Sequence, residues 1–301
     1  MSTPAKPDAR AALQSALHEG GEVLAALFTG LGYLWRRRVR APYPRVGFAG
    51  RGEVFALLML AIGIIAACML LVDPLVHGLR LRLPNWLVVL SERLTDLGLG
   101  GVILWPIGLA ILYVLARRLR LFGSERLVAS SVFARLGFLF LSIAPVGLGV
   151  AIIKHIIGRA RPYMAMHLPG PNAQLTFDLP VWNASFASFP SGHSTTAFAT
   201  AVALGALFPK ARWPLIIIAI VAASTRVILN AHYPSDVIAG AVVATVYVVW
   251  MVKVFAARRV VFSVSDEGYA VPMAGPSARR LACLVPGVAR NTPVPLEETI
   301  K

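Results

Sequence analysis

Long apolar runs separated by short polar segments dominate the pattern of this chain. Runs without any charged residue, close to the ~20 residues that a helix needs to cross ~30 Å of hydrocarbon, are 54–72, 97–116 and 136–153. Shorter runs, each bordered by a residue that is costly in lipid, are 194–208 beside His193, 213–225 beside Arg226 and 237–252 beside Asp236. The pattern predicts an all-α fold, a polytopic membrane bundle of six transmembrane helices, with chemistry at the short ends of the later spans.

An amphipathic pattern precedes the first span. Leucine and aromatic residues recur at helical spacing over 9–35, broken by Gly20 and Gly21, which predicts a helix lying on the inner membrane surface. A partly ordered tail is the alternative for this stretch. Residues 84–96 predict a shorter interfacial helix on the opposite side. The predicted divisions are an N-terminal segment (1–53), a six-span core (54–256) and a C-terminal tail without a recognisable motif (257–301).

Composition agrees with a membrane location. The chain is 57% hydrophobic and 14% charged, with a mean hydropathy of +0.71, which is typical of an integral membrane protein. The formal net charge of +15 is concentrated in short clusters between the apolar runs, so it indicates membrane orientation and not a nucleic-acid partner. Cys68 lies in an apolar run and Cys283 in the tail, so we expect no disulfide.

The basic clusters predict the orientation of the spans. Clusters that share one face of a six-span arrangement lie within 36–40, 117–126, 210–212 and 253–259. By the positive-inside rule that face is cytoplasmic, although Arg80, Arg82 and Arg93 lie on the opposite face. We therefore expect a multi-pass protein of the inner (plasma) membrane, with both termini in the cytoplasm and the polar site facing the periplasm or exterior.

Three polar clusters fall at the outer ends of the predicted spans. They read KHIIGRARP (154–162), PSGHS (190–194) and TRVILNAHYPSD (225–236). Because helices that alternate in direction bring these ends to the same membrane surface, we expect the three clusters to form one site.

The cations of these clusters suit a phosphate group. Lys154 and Arg161 are seven residues apart, so they share nearly the same face if the helix persists. Arg226 adds a third cation, and the backbone amides near Ser191 and Gly192, at a helix start, complete an anion site. Interfacial anchoring is the alternative for Lys154 and Arg161. Residues that we interpret as headgroup or loop residues are His155, Arg159, Tyr163 and His167.

The histidines supply candidate reactive groups. His232 and Asp236 flank a helix start at Pro234, so the carboxylate is placed to hold one ring N–H and leave the other nitrogen free to attack. A satisfied structural pair is the alternative for these two residues. His193 is placed to protonate a leaving oxygen.

A metal site is not expected. Between positions 129 and 256 the carboxylates are only Asp178 and Asp236, too few to build a two-metal phosphatase site. We therefore expect catalysis by side chains alone, with no metal and no cofactor.

The order and spacing of the clusters resemble the three-part signature of the type 2 phosphatidic acid phosphatase superfamily, the lipid phosphate phosphatases related to vanadium haloperoxidases. The matching residues are Lys154, Arg161-Pro162, Pro190-Ser191-Gly192-His193, Arg226, His232 and Asp236. The resemblance implies a membrane hydrolase of lipid phosphates in which His232 becomes phosphorylated, Asp236 orients it and His193 is the acid and base. The phosphate ligands that it implies are Lys154, Arg161, Ser191, Gly192 and Arg226.

The chain departs from the family pattern at Thr225. The family has Ser before the Arg of the third part, whereas this chain has Thr225 before Arg226. Because the hydroxyl is kept, we expect Thr225 to make a secondary contact in the phosphate shell.

Other function classes also place polar residues near spans. A lipid phosphotransferase would pass the same phosphohistidine to another lipid instead of water. A transporter would carry charges at the bilayer middle, whereas these lie at span ends, and a silent scaffold would not need the whole signature. The lipid remains open among prenyl pyrophosphate, phosphatidic acid, phosphatidylglycerol phosphate and phosphorylated lipid A, as does the oligomeric state.

Overall fold

The structure of the chain is a computed structural model that describes residues 9–44, 51–165, 167–170 and 172–285. The outermost parts of the predicted N-terminal segment and C-terminal tail therefore lie outside the described residues. The helices are α1 (Ala9–Arg36), α2 (Arg51–Leu71), α3 (Leu79–Arg82), α4 (Asn85–Leu94), α5 (Gly100–Leu119), α6 (Gly123–Ile157), α7 (Pro162–Ala165), α8 (Gly192–Leu207), α9 (Arg212–Ile228), α10 (Pro234–Ala257) and α11 (Ala278–Leu281). An antiparallel hairpin of β1 (Phe262–Val264) and β2 (Ala270–Pro272) lies between α10 and α11.

The all-α membrane class is confirmed, but the count of six spans is not. In the described ranges, five segments are long and apolar enough to cross a membrane: Gly52–Leu71, Asn85–Leu119, Gly123–Ile157, Pro209–Ile228 and Pro234–Ala257. The remaining predicted span, 194–208, corresponds to α8, which has 16 residues. At 1.5 Å per residue α8 is about 24 Å long, which is shorter than ~30 Å of hydrocarbon.

Small residues allow α8 to pack closely against its neighbours. Its most extensive contacts are with α6, α9 and α10, and its buried face is rich in alanine. The closest approach is at Gly240 of α10, where a Cβ atom would lie 2.6 Å from the carbonyl oxygen of Ser191. Such small residues are typical of helix interfaces in membranes, because they let backbones approach.

The N-terminal helix is present, as the amphipathic pattern predicts. α1 exposes an apolar stripe made of Leu17, Leu24, Phe28 and Trp35, while Leu34 is buried in the core of the bundle. The spacing of the exposed residues places them on one side of the helix. This face is suited to lie on a membrane surface.

The C-terminal tail is more ordered than its lack of motifs suggests. Phe262 of β1 is buried and packs edge-on against Phe138 of α6, with ring centroids 4.9 Å apart. Arg135 of α6 donates to the backbone carbonyls of Met273 and Ala274, at 2.9 Å in each case. The hairpin is therefore attached to the end of the bundle opposite the three polar clusters.

Candidate active site

The three polar clusters meet at one end of the bundle, as the sequence predicts. The C-terminal ends of α6 and α9 and the N-terminal ends of α8 and α10 converge there. Backbone hydrogen bonds join them, from the Arg161 N–H to the Ser185 carbonyl (2.8 Å) and from the Ser191 N–H to the Asp236 carbonyl (3.0 Å). The His232 N–H donates to the Arg226 carbonyl (3.1 Å), which fixes the loop between α9 and α10.

The helix that begins at Gly123 does not persist from Lys154 to Arg161, so the condition for a shared helix face is not met. α6 ends at Ile157, and Gly158 follows in the left-handed conformation with φ 60°. Glycine fits there for a second reason, because a Cβ atom would lie 1.8 Å from the Asp178 carbonyl oxygen. Arg161 is therefore positioned by a loop, although its charge and that of Lys154 still both act on His193.

The start of α8 offers donors for an anion. Ser191 is the N-cap, and its hydroxyl oxygen accepts from the Ser194 hydroxyl at 3.0 Å, so the Ser191 hydroxyl hydrogen is free to donate elsewhere. The first N–H groups of any helix, here those of Gly192 and His193, have no intrahelical acceptor. A Cβ atom at Gly192 would meet no atom within 4 Å, so the backbone there borders open space.

His232 and Asp236 are neighbours, as predicted. The His232 Nδ1 atom lies 3.5 Å from Asp236 Oδ2, which is close enough for an ion pair with a protonated ring but longer than an ordinary hydrogen bond. Asp236 Oδ2 accepts from the Ser188 hydroxyl (2.6 Å) and the Tyr233 N–H (2.9 Å). Burial lowers the pKa of His232, and this effect outweighs the opposing attraction of Asp236. The ring is therefore neutral over a wider pH range than a free histidine, as a nucleophile requires.

Arg159 lies in the loop after α6, as one part of its interpretation states, but it does not face lipid headgroups. Arg159 is completely buried, and its guanidinium donates to Asp236 Oδ1 at 2.6 Å and to Asp73 Oδ2 at 2.7 Å. Burial alone would lower its pKa, but the two carboxylates raise it. Asp73, also completely buried, comes from the short 3₁₀ helix after α2 (Asp73–Val76) and was not among the sequence candidates.

Arg226 is held by a residue that the sequence did not single out. Its Nη1 atom donates to the Thr95 hydroxyl at 2.9 Å, in the short 3₁₀ helix before α5 (Thr95–Gly98). Gly98 of the same helix lies against His193, where a Cβ atom would be 3.0 Å from the His193 carbonyl oxygen. The segment between α4 and α5 therefore forms one wall of the site.

The structure gives the hydroxyl of Thr225 a different partner from the one expected. Thr225 is buried, and its hydroxyl donates to the Ala222 carbonyl of α9 at 2.6 Å. Only acceptor lone pairs remain, and these do not suit an anionic phosphate.

The imidazole of His193 lies within range of the charges of the three cations. Burial is the main reason that the pKa of His193 is lowered to about 3, and the charges of Arg226, Arg161 and Lys154 lower it further. An anionic ligand among these cations would raise this pKa toward the range that a proton donor needs. The Nε atoms of Arg161 and Arg226 are buried without a hydrogen-bond partner among the described residues. Unpaired donors of this kind are costly in a protein interior, so they favour an anionic ligand. His155, in contrast, stacks on Trp182 with ring centroids 5.1 Å apart.

We expect Gly240→Ala to disrupt this site, although Gly240 is not one of the candidate site residues. The added methyl group would meet the Ser191 carbonyl oxygen at 2.6 Å, and backbone must move to relieve that contact. Because a displacement of about 1 Å in a catalytic group can lower a rate roughly 100-fold, the rate of the reaction that this site catalyses should fall by about that factor. Gly149→Ala on α6 is the matched control, since its methyl group would meet nothing within 4 Å. Equal activity in both variants would contradict the packing account.

Comparison with known proteins bears on the family of the chain. Residues 135–259 match the model of the PAP2 superfamily. A lipid A 1-phosphatase of Rhizobium etli is 34% identical over 230 residues, which cover 75% of this chain and 93% of that protein. A second lipid A 1-phosphatase, from Rhizobium johnstonii, is 38% identical over 48% of this chain and 55% of its own length.

A further relative matches a shorter part of the chain. The undecaprenyl-diphosphatase BcrC of Bacillus subtilis is 36% identical over 78 residues, which cover 26% of this chain and 40% of that protein. No solved structure matches the chain with statistical support. The matched residues 135–259 contain all three polar clusters, and the chain belongs to the PAP2 superfamily as a membrane-bound hydrolase of lipid phosphates.

Proposed function

We propose that the chain hydrolyses a phosphate monoester on a lipid headgroup through a phosphohistidine on His232, without a metal ion. The observation that carries this proposal is the proximity of buried His232 to Asp236, at 3.5 Å, within range of the charges of Arg161 and Arg226. The imidazole has one nitrogen near a carboxylate and the other available for attack, as nucleophilic catalysis requires.

The proposed reaction has two steps. Lys154, Arg161 and Arg226, with the N–H groups at the start of α8, bind the phosphate oxygens. The Nε2 atom of His232 attacks phosphorus, the bond to the lipid oxygen breaks, and His193 gives that oxygen a proton. Water then attacks phosphorus, the bond from phosphorus to His232 Nε2 breaks, His193 takes a proton from the water, and inorganic phosphate leaves.

Lipid A carrying a 1-phosphate is the first substrate to test. This choice is supported by the lipid A 1-phosphatase of Rhizobium etli, because the chain matches 93% of the length of that protein. The position of the site is compatible with a lipid headgroup. The site lies at the start of α8, at Gly192, and α8 is only about 24 Å long. A helix this short places its start near the membrane boundary, where the phosphate of a lipid headgroup lies.

A panel of lipids tests this proposal directly. Purified protein in detergent is given lipid A 1-phosphate, prenyl pyrophosphate, phosphatidic acid and phosphatidylglycerol phosphate, and free phosphate is measured with His232→Ala as the blank. We expect release from lipid A 1-phosphate above that blank. Transfer of labelled phosphate to a second lipid, without free phosphate, would favour a phosphotransferase. No release from any lipid would contradict the proposal.

We expect phosphate release to survive chelation. Within the described residues, no group of three or more histidine, cysteine or carboxylate side chains is placed to hold a metal ion. The carboxylate oxygens of Asp236 are already engaged by Arg159, Ser188 and Tyr233. Activity should therefore be the same within about twofold before and after dialysis against EDTA. Loss of activity that Mg²⁺ or Zn²⁺ restores would contradict a cation-only site.

We further propose that the site faces the periplasm or exterior and that both termini are cytoplasmic. The basic clusters support this orientation. In a Cys283→Ser background, Asn172→Cys should react with a membrane-impermeant thiol reagent in whole cells, and Ser124→Cys should react only after permeabilisation. Both positions are exposed, and the remaining Cys68 is buried. The reverse labelling pattern would overturn the orientation.

A further inference from the structure

A second layer of charge lies behind the His232–Asp236 pair. The guanidinium of Arg159 bridges two carboxylates, with Nη1 2.6 Å from Asp236 Oδ1 and Nη2 2.7 Å from Asp73 Oδ2. All three side chains have 0% of their surface exposed. Burying three charges is costly unless geometry and hydrogen bonding are nearly complete. The family signature quoted above includes neither Arg159 nor Asp73.

Each side-chain nitrogen and oxygen atom of Arg159, Asp73 and Asp236 has a hydrogen-bond partner. The Arg159 Nε and Nη2 atoms donate to the Gln174 carbonyl at 3.0 and 2.9 Å, and Nη1 also donates to the Ser235 hydroxyl at 2.7 Å. Asp73 accepts from the N–H of Ser235 at 3.1 Å and from its hydroxyl. The guanidinium lies over the Tyr233 ring, with the Arg159 Cζ atom 4.3 Å from the ring centroid. The cluster therefore holds Arg159 in one place.

We propose that Arg159 and Asp73 are positioning residues that act on His232 through Asp236. Arg159 holds Oδ1 of Asp236, so that Oδ2 is turned toward the Nδ1 atom of His232. Asp73 shares the charge of Arg159, so that Asp236 keeps enough negative charge to stabilise the phosphorylated imidazole. This inference rests on the proposed role of His232.

The charge argument predicts opposite effects for the two partners. Loss of the Asp73 charge leaves Arg159 to neutralise Asp236 alone, so a protonated His232 is less stabilised. Loss of the Arg159 charge leaves Asp236 more negative toward His232 even if Asp73 takes up a proton, because Arg159 contacts Asp236 directly. A purely structural cluster would weaken folding in both cases but would not shift His232 in opposite directions.

Other charged groups around His232 stay constant in this comparison. The charged and titratable groups that act on His232 are Asp236 of α10, Arg161 of the loop after α6, Arg226 of α9 and His193 of α8. Since none of these is changed, a shift in the titration of His232 reports the cluster behind Asp236.

The test compares Asp73→Asn with the double variant Asp73→Asn/Arg159→Gln. The double variant removes Asp73 and Arg159 together, and Asp236 keeps the Ser188 hydroxyl and the Tyr233 N–H as partners of Oδ2. The titration midpoint of the His232 ring is followed by NMR of ¹³C-labelled histidine in detergent, with the signal assigned by its loss in His232→Gln. The acid limb of kcat/KM with an activated aryl phosphate is recorded on the same proteins. Glu92→Gln, in the exposed Arg80–Glu92 pair, is the matched control.

We expect the midpoint of Asp73→Asn to fall below wild type and that of the double variant to rise above it, each by at least about half a pH unit. The acid limb should move the same way, with kcat lowered about 10- to 100-fold, while Glu92→Gln changes neither. Unchanged midpoints, the reverse order, or an acid limb that does not follow the midpoints would overturn the inference. If wild type releases no phosphate from any substrate, the proposed function fails, while the ring titration still decides the charge argument.

Discussion

Replacing His232 with alanine is expected to lower phosphate release by at least about 10⁴-fold. The proposed nucleophile is buried and lies 3.5 Å from its carboxylate partner, and the described structure has no second histidine with such a partner in the site. Phosphate release from the lipid that the wild type hydrolyses best is the measurement.

The matched control for this variant is His167→Ala, which removes an exposed imidazole from the loop before α8. It should retain the wild-type rate. A His232→Ala protein that kept a tenth of the wild-type rate would mean that water attacks the phosphate without a histidine nucleophile.

Asp236→Asn is expected to lower kcat by about 10²- to 10⁴-fold, as loss of the orienting carboxylate does in a catalytic triad. The amide has the same shape and its oxygen can still accept from the Ser188 hydroxyl. It carries no negative charge, however, so it cannot stabilise a positively charged His232 ring. It also leaves Arg159 with one carboxylate fewer. Single-turnover rates with a saturating substrate measure the chemical step.

Asp178→Asn is the control for Asp236→Asn, because Asp178 is exposed and its side chain lies outside the site. Thermal unfolding of both variants separates a loss of catalysis from a loss of folding. A folded Asp236→Asn protein within threefold of the wild-type kcat would contradict the orienting role.

The placement of the site could be predicted because its clues are local. Each polar cluster lies next to an apolar run, and the alternating direction of spans brings the ends together. The relation between His232 and Asp236 follows from four residues of spacing across a helix start, which Pro234 marks. These features depend on short stretches of chain, so the pattern of residues contains them.

The cluster behind the site could not be predicted in the same way. Asp73 and Arg159 are 86 residues apart and belong to no shared motif, so only the folded chain brings them together. Arg159 also lies two residues from Arg161, and an arginine at a span end is as easily explained by lipid headgroups. The contact of Thr95 with Arg226 was missed for the same reason, since 131 residues separate them.

Two other features differ between the sequence prediction and the structure, the end of α6 and the hairpin in the tail, although each has a local signal in the sequence. Gly158 is a glycine just after the last helical residue of α6, a common way for a helix to end. Pro162, which follows Arg161 in the signature, begins the short helix α7. In the tail, the turn that includes Gly268, between β1 and β2, marks a hairpin, but the strands have only three residues each.

The central claim, a phosphohistidine on His232 resolved with the help of His193, is tested most directly by trapping the intermediate. An activated aryl phosphate has a leaving group that needs no proton, so His193→Ala should form the phosphoenzyme but hydrolyse it slowly. With a ³²P-labelled ester, we expect His193→Ala to carry label that is labile in acid and stable in alkali, as a phosphoramidate is, and His232→Ala to carry none. Label retained on His232→Ala, or no label on His193→Ala despite measurable release of the aryl alcohol, would contradict the account.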